Sequence, residues 1–405
     1  MSKIDRDYIF SFLSIAARTV GGLTVFIANA RIFGPEQFGV LMSWFAVAAF
    51  LAILPNFGVV PVILRDCAKA IDGGFRIVSD LLNVKLCLTA ATVPFAILLS
   101  AILPDGVVFG LLSATHIADT YIDFFLAVLR ARGKFRYEAV SYSIYSALSL
   151  IFIILVGYLS TSLELVALSF FLSRLAFAIV LMARVTQLYE DKFRLLPIRR
   201  SLFLAKSHAG YLIDLGLQSA MVNLDSTILR IVAGPYSVGL YQAGTKIAYG
   251  FCTAIGVISN VMIPRNSRRF SEGDRIGVIK SITWGFLSVG LALGVTNYGV
   301  MTLLMPKVYG DHFSSIIVLA PILSAFLVAR FIASGFGIIL VLANEARARI
   351  LALSVSVAVL VCGCAWLGAR YGAVGAAATL LASTLVTAGL MLVAVNQTRL
   401  SSVCR

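Results

Sequence analysis

Histidine is almost missing from this chain, with three in 405 residues, and acidic residues are few, 19 against 33 lysines and arginines. His116, His208 and His312 lie in different segments, and no nucleophile and base fall at a spacing that would put them in one site. Neither a catalytic residue nor a cofactor is expected. The six cysteines, Cys67, Cys87, Cys252, Cys362, Cys364 and Cys404, form no disulfide framework and no metal-ligand spacing. Cys362 and Cys364 are two apart on a helix and so face away from each other, which leaves the cysteines as small buried hydrophobes and predicts no metal. Long polar segments are also lacking: the longest runs only from Tyr189 to Ser207.

What remains is apolar. Hydrophobic residues make up 60% of the chain, charged residues 13%, and the mean hydropathy is +0.96, more apolar surface than a soluble domain can hide. Stretches of the roughly 20 mainly apolar residues that cross a bilayer follow one another almost without pause. About twelve are legible by length and hydropathy: Tyr8 to Phe33, Gln37 to Leu64, Leu81 to Leu103, Gly106 to Leu129, Tyr137 to Leu159, Leu163 to Leu188, His208 to Ala233, Ser237 to Ile263, Ile279 to Leu304, Ser314 to Ala343, Arg349 to Gly368 and Gly372 to Val395. These are continuous runs, not the alternating pattern of a barrel strand, so the expected fold is an all-α integral membrane bundle. The polar start, Met1 to Asp7, and the lack of an A-x-A-like site after the first run predict a retained helix and no processing.

Most lysines and arginines fall in loops of one parity, among them Arg130, Arg132, Lys134 and Arg136, and Arg265, Arg268, Arg269 and Arg275. Alternate loops hold only Arg31, Arg230, Lys307 and Arg370. Cytoplasmic loops keep the excess of basic residues, which places both termini in the cytoplasm. This distribution accounts for the net charge of +14 without a nucleic-acid partner. Membrane lipids are the expected contact, each basic residue near an anionic surface contributing about 1 kcal/mol.

Two elements repeat. Gly34-Pro35 is followed by Gly39, and Gly234-Pro235 by Gly239, at an offset of 200 residues, each in the loop after an odd-numbered span. Arg65 and Arg265 match at the same offset. Gly-Pro alone is a common helix stop, but two copies at equivalent places point to a duplicated six-helix unit, 1–200 and 201–405. An even number of spans per unit gives two parallel repeats, the plan in which a substrate site lies near the midplane and one half rocks against the other. The Tyr189 to Ser207 segment, with Pro197, is the expected linker.

The run Arg31-Ile-Phe-Gly-Pro-Glu-Gln-Phe-Gly-Val-Leu41, followed by Asn56-Phe-Gly-Val-Val-Pro-Val-Ile-Leu-Arg65, resembles the opening of Wzx-type bacterial polysaccharide flippases. These belong to the multidrug/oligosaccharidyl-lipid/polysaccharide (MOP) exporter superfamily. Asp225-Ser-Thr-Ile-Leu-Arg-Ile-Val-Ala-Gly-Pro-Tyr-Ser-Val-Gly-Leu-Tyr241 is similar to that family's seventh-helix aspartate, Gly-Pro loop and Gly-x-Tyr. The general plan is shared along nearly the whole chain, the motifs in these two regions. The resemblance implies a V-shaped bundle in the cytoplasmic membrane that moves a polyprenyl-pyrophosphate-linked oligosaccharide outward for exopolysaccharide or lipopolysaccharide assembly. Lipid-linked oligosaccharide would be its substrate and a polysaccharide polymerase and other assembly proteins its partners. Two alternatives stay open within the superfamily, a multidrug exporter and a lipid-II-type flippase. A membrane-embedded glycosyltransferase or polymerase is the alternative of another class, disfavoured by the missing soluble domain.

Ionised side chains inside spans carry the functional reading, since each costs roughly 2.5–3.5 kcal/mol unless paired or hydrated. They are Arg18, Asp119, Asp123, Arg174, Asp214, Asp225, Lys246 and Arg330. Arg18, Lys246 and Arg330, near the middle of their spans, are the substrate-binding candidates for a phosphate, with Gln218, which matches Arg18 at the repeat offset. His116, Asp119 and Asp123 share one helix face and are candidates for ion coupling, or else a satisfied polar interior with Arg174 pairing one of the aspartates. Asp225 is the coupling candidate by resemblance, with Arg230 as an alternative partner.

Overall fold

The computed structural model describes residues 3–67, 74–160, 162–189, 200–201, 206, 209–343 and 345–403. The greater part of the Tyr189 to Ser207 linker, including Pro197, lies outside them, as do Lys69, His208, Cys404, Arg405 and the side chains of Arg65, Asp214 and Arg265. Every regular element among the described residues is helical. In lipid each backbone N–H and C=O needs a partner within the segment, and these long apolar runs meet that need as helices.

The order is α1 (Lys3–Leu51), the short α2 (Ile53–Asn56) and α3 (Val59–Asp66), α4 (Phe75–Ile102), α5 (Gly106–Ala131), α6 (Phe135–Leu159), α7 (Leu163–Leu188) and α8 (Ala209–Ser271). There follow α9 (Arg275–Gly299), a π-helical turn (Val300–Leu304), α10 (Met305–Tyr309), a 3-10 segment (Asp311–Leu319), α11 (Ala320–Leu342), α12 (Ala346–Gly363), a second π turn (Cys364–Gly368) and α13 (Ala369–Val403). Eight stretches of the described residues are long and apolar enough to cross a membrane. The expected spans map onto fewer, longer helices because consecutive spans are fused across bends. The first span and the start of the second share α1, bent at Gly34. The seventh and eighth share α8, bent at Gly234, and α13 bends at Gly372.

The two Gly-Pro elements adopt one conformation. Gly34 has φ 71 and ψ 175, and Gly234 φ 79 and ψ 174, a region essentially reserved for glycine. Proline then starts the next arm, where its fixed φ fits and its missing N–H removes no helical bond. The same dihedrals at an offset of 200 residues extend the sequence repeat to the backbone.

The second expected span, Gln37 to Leu64, is not one helix. It breaks after Leu51 and again at Phe57 and Gly58, both left-handed with φ 52 and φ 62, between Pro55 and Pro61. The tenth begins as 3-10 turns and becomes α-helical only from Ala320.

Contacts sort the chain into two compact units, Met1–Val25 with Ser43–Asn223, and Phe26–Met42 with Leu224–Arg405. In the first, α5 is the central helix, buried at every position from Phe124 to Leu129 and packed on α7, α4 and α3. Val62, Ile63, Val78, Val84, Leu181 and Val185 complete its core. At the α5–α6 turn the buried Glu138 accepts two bonds from Arg130 Nε and one from Nη2, at 2.6–2.9 Å, and one from a second partner, Ser14, at 3.1 Å. In the second unit α11 is central, packed on α9 and α13. Gly290 and Gly294 on α9 admit Phe331 and Val328 of α11 at contact distance. As the tenth span, α11 holds the place in the second repeat that α5, the fourth, holds in the first.

Within the second unit the two Gly-Pro elements pack on each other reciprocally. A Cβ on Gly39 would lie 1.8 Å from the carbonyl oxygen of Pro235, and one on Gly239 1.9 Å from that of Pro35. Arg31 donates to the carbonyl of Val308 at 3.3 Å and Arg230 to that of Val40 at 3.4 Å.

Candidate functional site

Membrane-depth charges gather on α5 of the first unit. Asp119 and Asp123, one helical turn apart, each meet an arginine from a neighbouring helix. Arg174 Nε of α7 lies 3.1 Å from Asp119 Oδ2, and Arg18 Nη1 of α1 lies 2.8 Å from Asp123 Oδ1. The two pairs differ in setting. The Arg174 side chain is 17% exposed, lies 5.0 Å over the Phe170 ring and also bonds the Phe170 carbonyl. Arg18 is 50% exposed and lies 5.9 Å from the Tyr142 ring centroid. His116, the third residue of this face, is turned to α1, with Nε2 3.0 Å from the Phe45 carbonyl oxygen and its ring 4.2 Å from that of Phe45. The face is therefore divided: two carboxylates hold arginines and the imidazole holds backbone.

Tyr142 and Tyr145 of α6 form the wall beside these pairs. Tyr145 stacks flat on Phe177 at 4.2 Å, and Tyr142 meets both rings edge-on at 5.5 Å. Gln218, on the first arm of α8 in the same unit, is exposed.

Lys85 of α4, which is not among the ionised side chains that the sequence put forward, is a further basic group of this unit and is wholly buried. Its ammonium donates to the Pro55 carbonyl at 2.8 Å and to Thr120 Oγ1 at 2.7 Å, and sits 4.7 Å over the Tyr121 ring. Three donors thus meet three partners, and one is a carbonyl beside the break at Phe57 and Gly58. A buried lysine is sustainable only when so satisfied. Its sequence signal is a basic residue in a span facing a proline-flanked helix. Lys85→Ala is expected to lower the thermal midpoint, the orphaned Pro55 carbonyl alone costing about 1–3 kcal/mol. Lys85→Met, which keeps the stem, should lower it less. Equal midpoints for Lys85→Ala and wild type in a detergent melt would show that the break stands without this brace.

In the second unit Asp225 of α8 is buried. It accepts a hydrogen bond from the Tyr241 phenol, one from the Ser226 backbone N–H at 2.5 Å and one from Ser226 Oγ at 3.0 Å. Gln242 in turn donates to Ser226 Oγ. Tyr241 and Gln242 lie on the other arm of α8, so these bonds tie the arms together across the Gly234 bend. That gives a physical reason for an aspartate, a Gly-Pro bend and a tyrosine to occur as one motif. Arg230 reaches the Val40 carbonyl, and the carboxylate's cationic neighbour is Lys246, whose ammonium lies 4.6 Å over Phe26. Arg330 of α11 has Tyr249 and Cys252 of α8 as its electrostatic neighbours, and its side chain is half-buried. Among the described residues no three His, Cys, Asp or Glu side chains converge as a metal site would need.

Of the eight candidates the structure joins Arg18 to Asp123 and gives Asp119 to Arg174, puts Lys246 in electrostatic range of Asp225, and places His116, Gln218 and Arg330 in neither ion pair. Tyr142, Tyr145 and Lys85 are polar members that charge patterning did not put forward; tyrosines in a span read equally well as interfacial anchors.

No curated protein sequence is significantly similar to this one, but residues 6–270 match the family described as "Polysaccharide biosynthesis protein". The fold is similar to the structure titled "Lipid II flippase MurJ, inward closed conformation", with TM-score 0.71 and 14% identity over 96% of this chain and 87% of that one. It is also similar to a mutant of the Vibrio cholerae MATE transporter VcmN, with TM-score 0.66 and 14% identity over 99% of both chains. A MOP superfamily transporter from Pyrococcus furiosus matches with TM-score 0.63 and 15% identity over 99% of this chain and 95% of that one. The matched family segment contains both Gly-Pro elements, the Asp225 motif and every member of the first unit's charged cluster. The chain belongs to the polysaccharide biosynthesis protein family, a flippase family of the MOP exporter superfamily, and is a multi-pass membrane protein.

Proposed function

We propose that the protein translocates a polyprenyl-pyrophosphate-linked oligosaccharide across the bacterial cytoplasmic membrane for surface polysaccharide assembly. It acts as a transporter, with no bond-making chemistry of its own. A sugar-pyrophosphate head loses its hydration in crossing hydrocarbon, and that loss must be replaced by polar contacts at membrane depth. The observation that carries the reading is Arg18: a guanidinium within a span, half exposed although paired with Asp123. An exposed arginine in that setting can exchange one oxyanion for another, and its planar fork suits phosphate. Lys246 and Arg330 are the cationic candidates of the second unit. Asp225, with Lys246 in electrostatic range, is the favoured place for ion coupling, ahead of the arginine-paired Asp119 and Asp123 and the backbone-bound His116. Both termini lie in the cytoplasm in this reading, which the parity of the basic loops supports.

Deletion of the gene is expected to remove surface glycan and to accumulate its lipid-linked precursor. Drug sensitivity with glycan intact would establish a multidrug exporter instead, and accumulation of lipid II a cell-wall flippase. In vesicles, translocation should rise under an imposed proton or sodium gradient in wild type and lose that response in Asp225→Asn. A flux indifferent to both gradients ends the coupling assignment.

A further inference from the structure

We propose that the groove between α6 and α7 of the first unit holds the isoprenoid tail of the lipid-linked substrate, with its phosphate at the Tyr137 end. The proposal rests on the flippase reading and adds to it a site for the apolar part of the ligand.

The groove has a volume of about 580 Å³, within the range of small-molecule sites. Its lining on α6 runs from Tyr137 to Phe152, about 22 Å at the helical rise, or some three-quarters of the roughly 30 Å hydrocarbon core. It opens sideways to lipid: Ile144, Leu148 and Val180 on its rims are all exposed. Three serines line it, yet each hydroxyl is bonded to a carbonyl of its own helix, Ser141 to Glu138, Ser149 to Ser146 and Ser173 to Phe170. The surface offered to a ligand is therefore apolar. One wall is the flat Tyr145–Phe177 stack, against which the planar trisubstituted alkenes of a polyprenyl chain can lie face-on.

The ends of the groove differ in charge. At the Tyr137 end Arg184 lies 5.0 Å over the Tyr137 ring, and Arg132, Lys134 and Arg136 are exposed in the adjoining turn. Among the described residues of that end the acid is Glu138, which Arg130 already holds. An apolar channel with cations at one end complements an amphiphile with an anionic head. The back of the aromatic wall faces the charged cluster through Tyr142, which Arg18 overlies. Tail groove and exposed arginine thus lie on opposite sides of a layer of rings.

The test uses the full-length protein in phosphatidylethanolamine–phosphatidylglycerol vesicles. The probe is a polyprenyl monophosphate carrying a diazirine on its tail, compared with a phosphatidylglycerol carrying a diazirine on one acyl chain. The polyprenyl probe should label residues 140–152 and 172–180 several-fold more than the phospholipid does. Ala176→Trp, which fills the groove from an exposed position, should remove that excess and slow translocation of the lipid-linked oligosaccharide; Leu148→Trp is the equivalent on the facing helix. Arg184→Gln should reduce labelling several-fold. Equal labelling by the two probes means ordinary boundary lipid and overturns the proposal, as does labelling that neither tryptophan variant changes. If translocation proceeds in wild type with no selective labelling, the groove assignment alone fails. If labelling is selective but nothing is translocated, the flippase reading fails and the groove keeps its ligand.

Discussion

Alanine at Gly39 or Gly239 is expected to abolish accumulation of folded protein. Either Cβ would lie less than 2 Å from a proline carbonyl oxygen of the opposing Gly-Pro element. Overpacking costs typically about 1–3 kcal/mol where side chains can give way. Here the atom in the way is main chain, fixed by a proline ring and by the helix it starts, so the cost lies above that range. The two substitutions should act alike because the contacts are reciprocal. Gly34→Ala meets no neighbour within 4 Å but has positive φ, so it carries only the backbone penalty of about 1–3 kcal/mol and should give reduced yield, not none. Gly216→Ala, also clear of neighbours and helical, should match or exceed wild type, since alanine is the better helix former by up to about 1 kcal/mol. Size-exclusion of detergent extracts ranks the four. Wild-type yield from Gly39→Ala would mean that the elements do not touch as described.

The ordering of these glycines bears on what the sequence could convey. Gly34 and Gly39 are visible as a spaced pair, and their recurrence at 234 and 239 reveals a duplication. Nothing in the spacing says that the copies meet, because contact between residues so far apart is set by packing of intervening helices. The spans were legible for the same reason that they form: lipid leaves a backbone no alternative to helix, so hydropathy alone locates them. The interruption at Phe57 and Gly58 was less so. Asn56-Phe-Gly sits inside an apolar run, and a left-handed phenylalanine is uncommon enough that a continuous helix was the natural reading. Lys85 explains how the break is sustained, through a contact 30 residues away. Arg174 could be assigned to Asp119 or Asp123 from helix order, but the choice depends on the rotation of α7 against α5. Arg18 is a mid-span cation in the sequence; its bond to Asp123 and its exposure are properties of the packed unit.

The two arginine–aspartate pairs offer the sharpest division between stability and transport, because the chemistry is the same and the surroundings differ. Asp119→Asn strands Arg174 where its side chain is 17% exposed, and the loss is part of the about 3–5 kcal/mol for breaking a fully buried pair, because Asp119 itself is 31% exposed. That variant is expected to melt below wild type. Joint replacement, Arg174→Met with Asp119→Leu, should recover much of the loss, since no charge is left to desolvate. Arg18→Gln removes a half-exposed guanidinium, for which a hydrated ion pair is worth about 0–1 kcal/mol. Its yield and melting point should stay near wild type while surface glycan is lost and the lipid-linked precursor accumulates. Asp123→Asn leaves the cation in place and frees its fork, so it should retain binding of pyrophosphate-bearing lipid that Arg18→Gln loses. Normal glycan export from Arg18→Gln at normal abundance removes Arg18 from the site. If instead both variants unfold alike, the exposure of Arg18 has no functional meaning, and the pair is a structural one like that of Arg174. The contrast works because burial decides whether an ion pair is mainly a support for its helices or a cation that can change partners.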